Sequence, residues 1–511
     1  MRKMQSRADG KTEVVLPVSA SNSADQIVRY IRSIGDFFHS PDGEPYALVK
    51  RKTHREVWPV NSKEFRAIVE GSIYRQSGKA VPSRTTDAVL ATLSAHARYE
   101  GATQAVHLRV ARHMDRYYID LCDDRWRVIE VDSKGWRILS SSPVMFTRMP
   151  TMRALAEPQP SRRFKPLLEY INIRKDDWIL VLTWLIECFR PDTPYLGLSL
   201  KGPQGSAKSG TLDMLRDLVD PNQKNRRAKP KSREDLFVSA QNSHMLSYEN
   251  LSGLSDDMQD GFCTILTGGG FSSRTLYTNQ GESLISLKRP VLLNGIEPVV
   301  TRPDLLDRFI CLGLPKISAE RRRPEADNQQ QFDEAKPLIL GAILTYFSQA
   351  LAELPEVKKQ KLALPRMADF AQLGEAVMRA ISKNTSKKTS KKRTESKMPS
   401  GKFIARFNQN RRSGVEQAIE SSSLAESIRS YVTRHPDGIE GSYAEVEPVL
   451  LEDWLKTNGP NSKPGDWPKP GKAFGAELRR LEPALEQIGI RVTMGKIRVG
   501  YACKINGAVQ V

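Results

Sequence analysis

The stretch of this 511-residue sequence with the clearest chemical pattern is GPQGSAKS, residues 202–209. A short apolar strand is predicted over 195–201, and an amphipathic helix is predicted from residue 211. Glycines in such a loop let successive backbone N–H groups turn toward a phosphate, and the N-terminus of the helix adds positive potential. The pattern therefore predicts a phosphate-binding loop for ATP. Its expected binding residues are Gly202, Gly205, Ser206, Ala207, Lys208, Ser209 and Gly210.

Two side chains of this loop have specific expected roles. Lys208 would neutralise the β- and γ-phosphates, and the hydroxyl of Ser209 would hold Mg²⁺. The usual pattern has glycine before the lysine, whereas this chain has Ala207. Because alanine tolerates a positive φ less well than glycine, we expect the loop to follow a slightly different path. The alternative is a glycine-rich turn followed by a surface lysine.

Two further apolar strands are predicted to end in polar residues that complete a hydrolase site. The segment HMLSYEN (244–250) predicts a strand with Glu249 at its tip, and 290–293 predicts a strand with Asn294 at its tip. Glu249 could hold Mg²⁺ through water and position the attacking water, and the Asn294 amide could bind that water or the γ-phosphate. The alternatives are a strand end without chemistry for Glu249 and an Asn-Gly turn for Asn294.

Arg308 stands immediately before another predicted apolar strand, in TRPDLLDRFICLGLP (301–315). An arginine at such an edge could reach the γ-phosphate bound by a neighbouring subunit, because a guanidinium stabilises the charge that develops there. The alternative is an ion pair with Asp304 or Asp307.

A basic hairpin is predicted between these elements. Strands are expected at 274–277 and 283–287, around a turn with the sequence TNQG and after a glycine-rich break. Tyr277 could stack on a base, or it could simply cover the sheet. The cations expected to contact DNA phosphates without sequence specificity are Arg274, Lys288 and Arg289.

The elements that surround these motifs predict an α/β protein of several domains. The expected divisions are a flexible tail (1–24), an α+β domain (25–144), a linker (145–170), the ATPase core (171–330), a helical lid (331–380), a basic low-complexity linker (381–402) and a winged-helix-like domain (403–511). In the α+β domain, helices are expected near 25–33, 62–76 and 83–98, and strands at 106–112, 116–122 and 126–131. Val106, Leu108 and Val110 are expected to face the core and Arg109 to face outward.

The C-terminal domain is predicted to contain helices near 415–434, 443–457 and 471–488, followed by a hairpin that turns at Gly495-Lys496. Three helices followed by a basic β-ribbon are typical of a winged helix that docks on duplex DNA, although the same fold also serves protein contacts. The expected DNA contacts are Lys472, Arg479, Arg480 and Lys496.

Composition limits the classes of partner and compartment. The net charge of +19 indicates a polyanionic partner, most simply nucleic acid. The five cysteines form no C-x-x-C pair, which argues for a reducing cytosol and against a disulfide framework or a zinc site. The N-terminus has no apolar core, and the most apolar run (178–189) is too short to cross a bilayer. We therefore expect a cytoplasmic protein without a membrane segment.

The order GPQGSAKS, YEN, LTGGG with its hairpin, LLNG and LLDRF resembles that of superfamily 3 helicases of viruses and plasmids. The longer phrases ENLSGL, LTGGGFSSRTLYT and LNGIEPVVTRPDLLDR are similar to those of bacterial mobile-element ATPases, over about 165–360. The resemblance implies an AAA+-type αβα core that works as a ring, commonly a hexamer. It also implies that Lys208 and Ser209 bind phosphate and Mg²⁺, that Glu249 is the acid and Asn294 the sensor, that Arg308 acts in trans, and that the hairpin grips DNA in the channel.

These predictions indicate an ATP- and Mg²⁺-dependent DNA translocase or helicase for replication of a mobile element or phage. One alternative is an initiator or loader that uses ATP to assemble on DNA without unwinding it. Another is a degenerate ATPase that serves as a structural DNA-binding subunit. A fused primase would depend only on Asp120, Asp123 and Asp124, which could equally be acids of a hairpin turn.

Overall fold

The structure is a computed structural model that describes residues 23–274, 282–386, 401–497 and 500–507. The chain forms two compact units. The first comprises Met1–Leu108, Asp124–Arg127 and Ser140–Arg148, and the second comprises Arg109–Asp123, Val128–Leu139 and Met149–Val511.

The first unit is an α+β structure built on a four-stranded sheet. Its elements are α1 (Ala24–Ile34), β1 (Gly35–His39), β2 (Pro45–Lys50), β3 (Arg55–Pro59), α2 (Lys63–Ser77), α3 (Ser83–Tyr99), β4 (Ala102–Thr103), β5 (Val106–His107) and β10 (Met145–Phe146). The sheet order is β3-β2-β1-β4, and β5 pairs with β10. Apolar residues of the three helices and of β1 and β2 form its core. The helices expected near 25–33, 62–76 and 83–98 are confirmed.

A meander of four antiparallel strands belongs to the second unit, although we expected its strands in the N-terminal domain. It contains β6 (Val110–His113), β7 (Arg116–Asp120), β8 (Val128–Asp132) and β9 (Gly135–Leu139). Arg109, expected to face outward, is fully buried at φ 59°, and its Nε lies 2.9 Å from Asp220 Oδ1. The prediction for Arg109 was wrong because a buried carboxylate compensates its charge.

Asp120, at the end of β7, has the environment of a turn residue. It is almost fully buried, and its carboxylate accepts a hydrogen bond of 3.0 Å from the backbone N–H of Cys122. Within the described ranges, no group of three or more His, Cys, Asp and Glu side chains could hold a metal ion. The hydrogen bond to the backbone of Cys122 therefore supports the turn role for Asp120.

The centre of the second unit is a fully parallel four-stranded sheet. Its elements include α4 (Leu167–Tyr170), α5 (Trp178–Glu187), β11 (Gly197–Lys201), α6 (Lys208–Asp217), α7 (Arg233–Gln241), β12 (Leu246–Tyr248), α8 (Asp256–Thr267), β15 (Val291–Gly295), α9 (Pro303–Leu306) and β16 (Phe309–Gly313). The strand order is β12-β15-β11-β16. Nearly every residue of these strands is buried, as expected for a parallel sheet with covered faces.

The expected hairpin is present, but its first strand lies earlier in the chain. β13 (Gly270–Arg274) pairs with β14 (Glu282–Ser286) in antiparallel register, with Gly270 opposite Ser286 and Arg274 opposite Glu282. Gly268 caps the C-terminus of α8 in the left-handed conformation (φ 88°), so the strand begins two residues later. The expected turn and Tyr277 lie outside the described residues.

Two long helices, α10 (Glu325–Lys359) and α11 (Ala368–Ser386), follow the sheet. In the described part of the chain, one helix, α10, has the length and apolar composition that could cross a membrane. However, 67% of its most apolar 18-residue stretch is buried inside the protein. Within the segment 145–170, expected as a linker, Gln159 packs against α10, and its N–H donates to the carbonyl of Pro337 at 2.9 Å. The carbonyl oxygen of Gln159 would lie 1.7 Å from a Cβ added at Gly341, so the close approach of this chain to α10 depends on glycine.

The C-terminal part combines helices with a three-stranded antiparallel sheet. Its elements are α12 (Lys402–Glu420), α13 (Ser423–Arg434), β17 (Ile439–Ser442), α14 (Tyr443–Asn458), α15 (Lys472–Gln487), β18 (Ile490–Ile497) and β19 (Gly500–Gly507). The sheet order is β17-β19-β18. The helix expected at 415–434 is divided, because Ser422 caps α13. The turn predicted at Gly495-Lys496 is wrong, since both residues are paired within the hairpin.

Candidate nucleotide site

The predicted phosphate-binding loop connects β11 to the N-terminus of α6. Gly205 has a φ of +75°, and Ala207, directly before the helix, adopts φ 55° and ψ 33°. This left-handed conformation costs a residue with a Cβ about 1–2 kcal/mol. Ala207 thus takes the conformation that glycine would adopt more easily, and the surrounding contacts must maintain it.

Side chains and neighbouring backbone hold the loop. Ser206 is fully buried and donates a 2.8 Å hydrogen bond from Oγ to the carbonyl of Pro203. The amide of Asn172 donates to the carbonyls of Ser206 (2.9 Å) and Pro315 (2.6 Å). A Cβ at Gly202 would lie 2.7 Å from the carbonyl oxygen of Leu314, so the first glycine is required for packing. Sequence reasoning missed Asn172, which lies 30 residues before the loop.

Lys208 is the first residue of α6 and is half-buried at the loop. Its Nζ donates to the carbonyls of Gly202 (2.7 Å) and Pro203 (2.9 Å). Burial lowers the pKa of the ammonium from its usual value. Ser209 and Gly210 follow in the first turn of the helix, also half-buried. The ammonium is therefore held at the mouth of the loop, where phosphate oxygens could replace the two carbonyls as acceptors.

The register of the sheet brings the predicted site residues to one edge. Lys201, where the loop begins, is level with Gly295 and Gly313, and Tyr248 is level with Leu293. Asn294 therefore lies one residue before the end of its strand, beside the tip of β12 that carries Glu249. The carboxyl edge of a parallel sheet is where such folds bind ligands.

Asn294 is fully buried and only partly satisfied. Its Oδ1 accepts a 2.7 Å hydrogen bond from the backbone N–H of Asn250, which adopts φ 53°. Its buried Nδ2 has no hydrogen-bond partner in the described part of the chain. Because a buried donor without a partner is costly, this amide is the most direct sign of an unmet binding function at the edge.

Glu249 belongs to a charged cluster that the sequence did not reveal. Arg226 lies between three carboxylates, at 2.9 Å from Asp213, 3.6 Å from Glu249 and 3.7 Å from Glu325. Glu249 is half-buried, with 26% of its side chain exposed. Arg226 lies in a polar run, KNRRAKPK, that looks like an ordinary exposed loop, and a lone acid within a helix such as Asp213 carries no signal in the sequence.

Asp213 is the most perturbed acid of this cluster. Burial, followed by the negative charges of Asp217, Glu249 and Glu325, raises the pKa of Asp213 to about 6, and Arg226 partly offsets this rise. Its Oδ1 is buried without a hydrogen-bond partner among the described residues. Asp213, whose pKa is raised to about 6, and Glu249 therefore contact the same guanidinium, that of Arg226.

Arg308 lies at the opposite, amino edge of the sheet, where its carbonyl accepts from the N–H of Gly197 at 2.9 Å. β16 contains five residues, so the Cα atom of Arg308 lies roughly one strand length, about 16 Å, from the phosphate-loop edge. Its Nη1 donates to the carbonyl of Asp304 at 2.5 Å and contacts the Cys263 thiol at 3.5 Å. Its Nε is buried without a hydrogen-bond partner within the described ranges.

The alternative ion pairs for Arg308 are formed by other residues. The carboxylate of Asp304 pairs with Arg302, and that of Asp307 pairs with Arg366 and Arg411. Among the described residues, the half-buried guanidinium of Arg308 thus has a carbonyl and a thiol as its hydrogen-bond partners and no carboxylate in an ion pair.

The cations predicted beside the hairpin differ in their surroundings. Arg289 donates from Nε to the carbonyl of Ala240 (2.9 Å) and from Nη1 to that of Lys288 (3.1 Å), and burial lowers its pKa. These contacts favour a structural role for Arg289. Lys288 is half-buried, and burial lowers its pKa as well. Arg274 ends β13, but its side chain lies outside the described set.

The C-terminal cations also separate into two kinds. Lys472, Arg479 and Lys496 are exposed. Arg480 instead pairs with Asp256 at 3.2 Å and with Glu477 at 2.7 Å. Arg480 therefore links α15 to α8 within the chain, whereas the other three cations are available to an external anion.

No curated protein matched this chain. Two similar structures are the apo C-terminal region of NrS-1 (12% identity, 96% of this chain and 100% of that chain, TM-score 0.39) and JCV helicase with a bound small molecule (13% identity, 43% and 65%, TM-score 0.26). Both TM-scores are low.

Two family models match separate parts of the chain. Residues 165–391 match the actinomycete integrative conjugative element replication protein, and residues 424–505 match the AICE RepA C-terminal domain. Over these two stretches, the chain is therefore similar to the replication proteins of actinomycete integrative conjugative elements.

Proposed function

We propose that this protein is an ATP-dependent DNA translocase or helicase that acts in replication of a mobile genetic element. The observation that carries the proposal is the meeting of the phosphate loop, Glu249 and the unsatisfied amide of Asn294 at one sheet edge. The matches to replication proteins of conjugative elements support the biological setting.

Each residue of this edge has a role in the proposed hydrolysis of ATP. The N–H groups of the loop and the ammonium of Lys208 bind the phosphates. Glu249 orients the attacking water, and the Nδ2 of Asn294 donates to that water or to the γ-phosphate. The hydroxyl of Ser209 and, through water, the carboxylate of Glu249 are oxygen ligands of the kind that suits Mg²⁺. When bound, Mg²⁺ supplies charge neutralisation of the phosphates.

The position of Arg308 supports an oligomer with sites shared between subunits. Its guanidinium lies at the sheet edge opposite the phosphate loop of its own chain, too far to reach a nucleotide bound there. A neighbouring copy could present its loop to this edge, as in an AAA+-type ring of the superfamily 3 kind. We propose a homo-oligomer, most simply a hexamer, in which Arg308 acts in trans.

DNA would be bound by two separate surfaces. The β13–β14 hairpin, flanked by Arg274 and Lys288, would grip one strand. In the C-terminal part, the order helix, strand, helix, helix and two-stranded ribbon is that of a winged helix, with α15 in the position that enters the major groove. We assign duplex contacts there to Lys472, Arg479 and Lys496.

The test is ATP hydrolysis, with and without single-stranded DNA, by the parent, Lys208→Ala and Arg308→Ala. We expect DNA-stimulated turnover in the parent, a loss of at least a hundredfold in each variant, and partial recovery when the two inactive variants are mixed. Recovery follows because a mixed interface can combine an intact loop with an intact arginine. Turnover that is absent in the parent, or indifferent to Arg308 and DNA, would contradict the shared-site motor.

A second candidate is an ATP-dependent initiator or loader without unwinding activity. The contact between Arg226 and Glu249 favours it, because this ion pair at 3.6 Å occupies the carboxylate that would orient the attacking water. ATP-dependent assembly on DNA without strand displacement would select this function over the helicase.

A further inference from the structure

We propose that Arg322 is a second phosphate-binding cation of the nucleotide site and that it acts in its own subunit beside Lys208. The proposal rests on the proposed function, since it assigns a further residue to the same ATP site. Arg322 lies in the segment between β16 and α10, outside every motif considered in the sequence.

The guanidinium of Arg322 lies against the phosphate loop. A Cβ added at Gly205 would be 3.3 Å from Nη2 of Arg322 and 3.9 Å from its Cζ. Gly205 is in the middle of the loop, three residues before Lys208. The side chain therefore points a charged, planar donor at the part of the chain whose N–H groups are proposed to surround phosphate oxygens.

The backbone that carries Arg322 is bonded to the loop itself. The N–H of Leu314 donates to the carbonyl of Lys201 at 2.7 Å, and the N–H of Ile317 donates to the carbonyl of Gly205 at 3.1 Å. A 3-10 turn at Ala319–Arg321 follows, and the N–H of Arg322 closes it on Ala319 at 3.3 Å. The segment cannot move away from the loop without breaking these bonds, so the backbone leading to Arg322 is held beside the loop.

Arg322 is exposed, and no carboxylate pairs with it among the residues that the structure describes. The two nearest acids in sequence have other partners. Hydrogen bonds from its own backbone N–H and from the Ser318 hydroxyl lower the pKa of Glu320, and Glu325 lies 3.7 Å from Arg226. An arginine with five donors and no acid, placed beside a phosphate loop, has the charge and geometry to bind phosphate oxygens in pairs.

The adjacent arginines are matched controls. Arg321 and Arg323 are also exposed and carry the same charge, but neither comes within 4 Å of a Cβ added at Gly205. If positive charge alone raises nucleotide affinity, removal of any of the three side chains should weaken binding equally. If Arg322 makes a specific contact, only its removal should weaken binding.

The experiment measures displacement of a fluorescent, non-hydrolysable ATP analogue by inorganic tripolyphosphate, which has no base or sugar. We expect Arg322→Ala to need about tenfold more tripolyphosphate and to bind the analogue about tenfold more weakly than the parent, the size of one charge-assisted hydrogen bond. Arg321→Ala and Arg323→Ala should each change affinity by less than twofold, and Arg322→Lys should recover part of the loss.

The outcomes distinguish failure of the role of Arg322 from failure of the ATP site. If the parent binds the analogue and Arg322→Ala binds equally well, or no worse than the two controls, the role of Arg322 is overturned while the ATP site stands. If the parent does not bind the analogue, the ATP site fails and the role of Arg322 fails with it. If Arg322→Ala unfolds at the same temperature as the parent, its loss of affinity comes from the missing contact and not from misfolding. Arg322→Gln is a second variant, with a neutral side chain closer in size to arginine.

Discussion

At the scale of single residues, the candidate site combines a strained backbone, an unsatisfied buried donor and a displaced pKa. Ala207 holds a left-handed conformation, Asn294 buries a donor without a described partner, and Asp213 has a pKa of about 6. Each feature costs folding free energy, and such costs accumulate where binding or catalysis requires them. The candidate site is thus recognised by features that lower the free energy of unfolding as well as by its sequence motif.

Asp213 should make stability depend on pH in a direction opposite to that of most carboxyl groups. Its pKa is raised to about 6 in the folded protein from 3.8, so the folded state holds the proton more tightly and stability falls as pH rises between about 4 and 7. Asn carries no charge, so Asp213→Asn should gain stability relative to the parent across this window, by about 1–3 kcal/mol.

Urea unfolding at several pH values measures this difference. Asp115→Asn removes an exposed carboxyl of the same kind and should run parallel to the parent. If the curves of Asp213→Asn and the parent are also parallel from pH 4 to 7, then Asp213 is an ordinary surface acid. The groups that face Asp213 and could share its titration are Arg226, Asp217, Glu249 and Glu325.

At the scale of elements, the site depends on segments far apart in the chain. The parallel register of β11, β12 and β15 brings the phosphate loop, Glu249 and Asn294 together, and the segment after β16 is bonded to the loop. Asn172 links that segment to the loop through two carbonyls. The long helix α10 starts from this region at Glu325, so its packing affects the geometry of the site.

Gly341→Ala should separate α10 from the chain that packs against it. A Cβ at this position would meet the backbone of Gln159 at 1.7 Å, and backbone cannot move aside as a flexible side chain can. We expect a loss of about 2–4 kcal/mol in the free energy of unfolding, measured by chemical denaturation.

Gly71→Ala is the matched change for this test. Gly71 lies in α2 with no atom within 4 Å of the added Cβ, and the substitution should stabilise or leave stability unchanged. A small effect of Gly341→Ala, similar to that of Gly71→Ala, would show that α10 and the 145–170 segment are not tightly packed.

At the scale of the whole molecule, the net charge is +19, and its cationic side chains form two classes. Some stabilise the fold, and others remain available to a partner. Many arginines, including Arg109, Arg216 and Arg289, are committed to buried contacts. The net charge therefore overstates the number of cations that are available to DNA. What matters for binding is which cations are exposed and free of intrachain acids.

Arg479 and Arg480 are adjacent in α15 and separate these two classes. Arg479→Ala should weaken duplex DNA binding and lower the slope of log affinity against log salt by about one, because one phosphate contact is lost. Arg480→Ala should leave DNA affinity and the slope nearly unchanged, since this side chain pairs with Asp256 and Glu477.

Fluorescence anisotropy with a labelled duplex over a range of salt concentrations measures both quantities. Equal losses for the two variants would contradict the assignment of Arg480 to an intrachain role. No loss for Arg479→Ala would contradict α15 as the duplex-binding helix.

The sequence by itself determined the features that depend on local order. The strand, small-residue loop and helix around Lys208, the apolar strands before Glu249 and Asn294, and most helices of the first unit follow from periodicity and turn chemistry over a few residues. The hairpin was also predicted, because two strand patterns flank a turn signal, although its first strand begins at Gly270.

Only the tertiary structure decided the contacts between distant segments. The pairing of Arg226 with Asp213 and Glu249, the position of Arg322 at Gly205, the burial of Arg109 beside Asp220 and the distance of Arg308 from its own loop all depend on strand order and long-range packing. A charged residue has the same local signature whether it is exposed or paired in the interior. Its surroundings are set by residues tens or hundreds of positions away, and these become neighbours only when the chain folds.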